Sequence, residues 1–219
     1  MILKLIMIMI LIFILKDITR YLNKNMPIIN KCLLIIAHPD DESMFFSPLI
    51  KIHKPHLLLF CYCNEERKKE FKRFCKYKKL KCFIVEQKRN YHGVFKDGMN
   101  WDINLMKNII KDQINKYKYK TVITFDEGGV SGHSNHISCY KAVSEVEYEF
   151  KSIKFLYLKT VNLIEKYLIF MRRPNLSIRS VLFKNMLFYP SQLKWYRYLW
   201  CIFSNYQWFN VFIDKKILT

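Results

Sequence analysis

Five short, uninterrupted apolar runs, each followed by a longer mixed stretch, restrict what this chain can fold into more than any other feature. They cover residues 32–37, 57–61, 82–85, 121–125 and 154–158. Strands buried on both faces lack the polar–apolar alternation of a half-wetted sheet, and these runs lack it too. The intervening stretches read as helices over 43–51, 65–77, 102–116 and 133–150. This βαβα rhythm predicts an α/β fold, a Rossmann-like three-layer sandwich with a mostly parallel sheet. At 219 residues the chain suits one such domain.

Open α/β sheets gather ligands beyond the carboxyl ends of their strands, and two acid-and-histidine clusters fall there. "AHPDDE" (37–42) begins where the first strand ends, and "FDEGGVSGHSNH" (125–136) leaves the fourth in the same manner. Asp40, Asp41 and Glu42 are adjacent carboxylates that repel one another unless positive charge sits among them. His38 and Asp41 are spaced i, i+3 across Pro39, as are His133 and His136, with Gly128, Gly129 and Gly132 relaxing the backbone. Two imidazoles and one carboxylate make a three-donor zinc set with an open position for water. A metal would also relieve the carboxylate repulsion, and a free Asp could deprotonate that water. Each cluster alone has a plainer reading. Acids favour the first turn of a helix, where Pro is tolerated, and His133 with His136 can form an exposed helix face.

The amino terminus, "MILKLIMIMILIFILK", carries an apolar run over 5–15. It is shorter than the roughly 20 residues a spanning helix prefers, but Lys4 can snorkel and lengthen it. No small-residue cleavage site follows, so residues 1–24 are expected to form an uncleaved membrane anchor, the alternative being a buried first helix. Lys16, Arg20, Lys24 and Lys31 outweigh Lys4 and place 25–219 on the cytoplasmic side. Seven cysteines, an odd number without a CxxC pair, agree with this as reduced, mostly buried thiols. Cys61 and Cys63 would share one side of a strand, a spacing that also suits a metal pair. The net charge of +19 comes from scattered Lys residues, as AT-rich coding produces, or serves attraction to anionic lipid head groups. No zinc-finger, RRM-like or basic-helix pattern points to nucleic acid. Segment 194–219 holds three of the four Trp residues. It reads either as membrane-interfacial or as a terminal helix packed on the core.

"AHPDDESMFFSP" with "TFDEGGVSGHSNH" is similar to the LmbE-like zinc deacetylases. Within them it resembles the N-acetylglucosaminyl-phosphatidylinositol de-N-acetylases, the PIG-L branch, which "NWD" (100–102) and "SQLKWYRYLWCIFSNY" (191–206) also fit. The resemblance implies an endoplasmic-reticulum membrane enzyme whose catalytic domain faces the cytoplasm. It would remove acetate from a glycolipid to leave glucosaminyl-phosphatidylinositol, the second step of GPI-anchor synthesis. It also implies His38, Asp41 and His136 as ligands of Zn2+ or another divalent transition metal, and Asp40 as general base. His133 would support the oxyanion or protonate the leaving amine. Glu42, Asn135 and Asp126 would be supporting residues, Glu42 orienting His38 or serving only as a first-turn acid. Many bacterial members carry Asp where this chain has Asn135. Asn64, Arg67 and Glu70 fall where relatives carry a longer Gly-containing loop before an Arg and a Glu; the loop is shortened here, so its substrate contacts do not carry over, and Asn64 and Arg67 stand as substrate-binding candidates. Two other functions fit the same residues: a deacetylase of a soluble N-acetylglucosamine conjugate, which needs no anchor, and an inactive membrane-surface scaffold. Intact His38, Asp40, Asp41, His133 and His136 count against the scaffold.

Overall fold

The computed structural model describes residues 29–167, 177–179 and 184–215. The expected anchor, 1–24, lies outside them, and among the described residues no helix is long and apolar enough to cross a membrane. The apolar runs become parallel strands β1 (Cys32–Ile36), β2 (His56–Leu59), β3 (Cys82–Ile84), β4 (Thr121–Phe125) and β5 (Lys154–Leu158). Two strands absent from the sequence reading, β6 (Ser177–Arg179) and β7 (Phe209–Ile213), extend the sheet antiparallel beyond β5. The order is β3-β2-β1-β4-β5-β7-β6. Every residue of β1 and β4 is buried, as expected of central strands covered on both faces. Because β2 lies on one side of β1 and β4 on the other, the order reverses at β1, and a crevice opens where β1 and β4 end.

The expected helix over 43–51 is two helices, α1 (Asp41–Met44) and α2 (Ser47–His53), because Pro48 begins a new first turn. Next come α3 (Glu65–Lys78), α4 (Ile103–Tyr117), the short α5 (Gly129–Gly132) and α6 (Ser134–Glu149). Asn64 caps α3 by accepting from the Arg67 amide, and Asp102 caps α4 by accepting from the amides of Asn104 and Leu105. α4 packs along α6, with Lys107–Glu145 and Lys111–Glu149 ion pairs on the outer edge. α7 (Leu163–Tyr167), α8 (Trp195–Phe203) and α9 (Asn205–Trp208) follow.

The cysteines require a correction. Lys79 adopts a left-handed conformation at the end of α3 and turns the chain back. Cys75 thereby comes within 6.5 Å, Cα to Cα, of Cys82, and the two form a disulfide. The expectation of reduced thiols holds only for Cys32, Cys61, Cys63, Cys139 and Cys201. Cys61 lies beyond the end of β2, with its sulfur 3.7 Å from that of Cys63.

Candidate active site

The exit of β1 is closed by Asp41. Its Oδ2 accepts from the amides of Ala37 at 3.1 Å and His38 at 2.8 Å, which folds the strand end into a tight turn. Asp40, between them, takes φ 97°, a left-handed conformation that costs energy for a residue with a side chain and recurs at functional sites. The turn aims both carboxylates and the His38 ring into the crevice. A cavity of about 490 Å³ opens there, with His38, Asp40, Asp41, Arg67, His133 and His136 in its wall.

From β4 the chain passes through Asp126 into α5 and α6. Asp126 accepts from the amides of Gly128 and Thr160 and from the Thr160 hydroxyl, so it builds the turn and does not line the cavity. Asp126→Ala is expected to destabilise the protein by about 1–3 kcal/mol. A fall of several degrees in the thermal midpoint would show this, and an unchanged midpoint would contradict it. Gly129 has φ +55°, and a Cβ there would meet the His136 Cβ at 3.1 Å. Its carbonyl lies 3.0 Å from His136 Nδ1, while the imidazole stacks on Phe125 with ring centroids 4.1 Å apart.

These contacts fix how His136 can be used. With Nδ1 donating to the Gly129 carbonyl, a neutral ring has no proton left on Nε2, yet Nε2 lies 3.2 Å from Asp41 Oδ1. Two acceptors facing each other require a cation: a proton on the ring or a metal between them. His38 repeats the pattern. Its Nε2 lies 3.1 Å from Asp97 Oδ1 and 3.3 Å from Asn135 Oδ1, and its Nδ1 lies 3.7 Å from Asp41 Oδ2. Burial works to lower its pKa, but the bond to Asp97 and the charge of Asp41 lift it to about 9. For Asp41, burial works upward, while the charge and hydrogen bond of His136 hold it well below the usual carboxylate range. Nitrogens of His38, His133 and His136 lie within 4.8 Å of one another. Imidazole and carboxylate donors converging this closely, and competing for too few protons, fit a divalent cation.

The two Asp carboxylates are held differently. Asp40 Oδ1 accepts from Arg67 Nη2 at 3.1 Å, whereas Asp40 Oδ2 is buried without a hydrogen-bond partner among the described residues. Burial lifts this carboxyl to about 6, with the Arg67 charge pulling the other way. Arg67 also donates to the Pro39 carbonyl at 2.5 Å and to the Cys63 sulfur at 3.1 Å, so it braces the turn. Asn64 caps α3, its Oδ1 accepting from the Arg67 amide, and lies outside the residues that line the cavity. Glu70 binds Ser191 through both carboxylate oxygens.

Of the two readings of Glu42, the first-turn acid is the one the structure shows: it stands in the first turn of α1, and none of its hydrogen bonds reaches His38. Its Oε1 accepts from Tyr189 at 2.6 Å and Ser43 at 2.7 Å, and its Oε2 from the Asp40 amide at 3.3 Å. Burial raises its pKa to about 8.

Asp97 is the site residue the sequence reading missed. It stands 3.1 Å from His38 and 3.6 Å from His133, and the bond with His38 holds its carboxyl down at about 2. Asn135 secures its loop by accepting from the Gly98 amide at 2.9 Å and donating to the Met99 carbonyl at 2.7 Å. The signal was an Asp-Gly turn in "FKDGMNWD".

An open, mostly parallel α/β sheet with this histidine–carboxylate cluster at its switch point defines the class: the protein has the fold of the LmbE-like deacetylases. The solved deacetylase of the antimicrobial reagent A40926 pseudoaglycone shares the fold at a TM-score of 0.50 and 13% identity, over 74% of this chain and 82% of that one. The chain belongs to the PIG-L family, described as GlcNAc-PI de-N-acetylase, which residues 33–147 match. It is 35% identical to the N-acetylglucosaminyl-phosphatidylinositol de-N-acetylase of Bos taurus, over 83% of this chain and 82% of the relative. It is 30% identical to the protein of that name from Saccharomyces cerevisiae, over 82% of this chain and 79% of the relative.

Proposed function

We propose that the cavity hydrolyses the acetamide of N-acetylglucosaminyl-phosphatidylinositol, giving glucosaminyl-phosphatidylinositol and acetate, a step of GPI-anchor synthesis. The observation that carries this reading is Asp40 Oδ2, a buried carboxylate oxygen with no hydrogen-bond partner among the described residues, beside three converging imidazoles. A base awaiting a proton and a cation site next to it are what amide hydrolysis by water needs.

His38, Asp41 and His136 would hold the metal, with Zn2+ the ion that suits them. The carboxylate of Asp41 is buried between the other two, whereas the His133 side chain is 38% exposed. Such an ion, when bound, supplies Lewis acidity and lowers the pKa of water to about 7. Asp40 Oδ2 takes the proton of the attacking water. His133, at the open edge of the cluster, faces the developing oxyanion or hands a proton to the leaving amine. Burial and the charges of His38 and His136 lower its pKa, which disfavours a permanent imidazolium there, and Asp97 opposes them. Asn135 serves His133 indirectly, by holding the Asp97 loop.

The lipid would arrive along α8. Trp195 is 75% exposed, and Tyr196, Tyr198, Leu199 and Phe203 are also exposed, next to the cavity that Tyr196 and Trp200 help to line. Aromatic groups with basic neighbours suit a membrane interface. The anchor over 1–24 would hold the enzyme at the endoplasmic-reticulum membrane with the catalytic residues on the cytoplasmic side.

The test is acetate release from the glycolipid by the membrane-embedded protein, with chelator and zinc add-back. Chelator-sensitive release restored by zinc is expected; release insensitive to chelator would remove the metal from the reading. Metal analysis should show loss in His38→Ala, Asp41→Ala and His136→Ala proteins and retention in His133→Ala. The reverse for Asp41 and His133 would exchange their roles.

A further inference from the structure

The cavity wall contains two arginines, and Arg67 is the one hydrogen-bonded to the catalytic turn. Arg67 has three partners there, Pro39, Asp40 and Cys63. Arg197, from α8, has its Nη2 4.0 Å from Asp40 Oδ2, beyond hydrogen-bond reach, while its Nη1 touches the Met44 sulfur. Its side chain is 22% exposed against 12% for Arg67. The other residues that α8 and its approach give the cavity, Gln192, Tyr196 and Trp200, carry no charge. The carboxylates of the cavity are already matched, Asp40 with Arg67, Asp41 with His136 and Asp97 with His38. The α8 wall therefore presents a cation whose nearest carboxylate of the site, Asp40, lies 4.0 Å away and is already hydrogen-bonded to Arg67.

The geometry points to Arg197 as the residue that binds the phosphodiester of the substrate. It would thereby set the preference of this active site for a phosphoinositol-linked sugar over a neutral N-acetyl sugar. This rests on the glycolipid reading above and goes further, in naming which group of the head group is read and by what. A phosphodiester is an anion whose paired oxygens match the guanidinium fork. Arg197 sits within one charge-pair distance of the base that works on the acetamide. Its anion is therefore held a short way from the reacting carbon, as a phosphate on the neighbouring inositol ring would be. The exposed aromatic residues of the same helix put this cation on the side from which a lipid-borne phosphate enters.

The test uses two soluble substrates, so that membrane charge plays no part: N-acetylglucosaminyl-inositol and its methyl phosphodiester. The kcat/KM ratio of charged to neutral substrate is measured for the full chain and for the Arg197→Gln and Arg197→Lys proteins. The ratio is expected to fall roughly 10- to 100-fold in Arg197→Gln, chiefly through KM, and to be partly restored in Arg197→Lys. An unchanged thermal midpoint reports that the variants fold. An unchanged ratio, with both substrates losing rate alike, would make Arg197 a positioning residue for Asp40 and overturn the inference. A wild-type enzyme that cleaves both substrates without preference would overturn it too, leaving the deacetylase standing. If neither substrate nor the full glycolipid is cleaved, the glycolipid reading falls and takes this inference with it.

Discussion

Asp40→Asn protein should bind its metal and turn over at least about 10²–10⁴-fold more slowly than the wild type, the range that a positioned general base contributes. The substitution keeps the size of the side chain and the acceptor that Arg67 uses, and removes the basicity of Oδ2, which has no hydrogen-bond partner among the described residues. Metal analysis and acetate release on the same preparation check both halves. Loss of metal along with activity would assign Asp40 as a ligand, and near-normal turnover would move the base elsewhere.

Arg67→Met has the second large effect, and its signature is in the pH profile. Asp40 works deprotonated, and the positive charge of Arg67 favours that form against the pull of burial. Removing the charge raises the Asp40 pKa, so a larger share of enzyme is protonated and idle at a given pH. The acid limb of the kcat/KM profile should move upward by about 1–3 in pH, with rate recovered as the pH rises. Because Arg67 also braces the Pro39 carbonyl, part of the loss should persist at every pH. A uniform loss with no movement of the limb would leave Arg67 a purely structural role.

Burial left a plain trace in the sequence, and long-range pairing left almost none. The strands expected at 121–125 and 154–158 match to the residue, because β4 and β5 are apolar runs with sharp polar edges. His38 and Asp41 were visible as candidates because they lie just beyond β1, and His136 because it closes the cluster that follows β4. Asp97 was not, because it sits in an irregular loop and only the fold brings it to His38 and His133. β7 was hidden inside an aromatic stretch where helical and extended periodicities both fit. The role of Glu42 depended on Tyr189, 147 residues later. In α8 the core-packing reading is met by Trp200, which packs edge-on against Phe45, while Trp195 is exposed.

The stitching of the catalytic turn to distant chain has a consequence for how this enzyme comes into being on the ribosome. Gln207 donates to the carbonyls of Ser43 and Met44, and Asn210 bonds the Phe45 carbonyl and the Leu49 amide. These partners emerge about 160 residues after the groups they satisfy, roughly 8–32 s later at ordinary elongation rates of about 5–20 residues per second. Throughout that interval the carbonyls of Met44 and Phe45, beside the catalytic turn, still need water. Competence therefore arrives late, and a message cut short just before codon 207 would yield a protein with every catalytic side chain and no settled place to hold them.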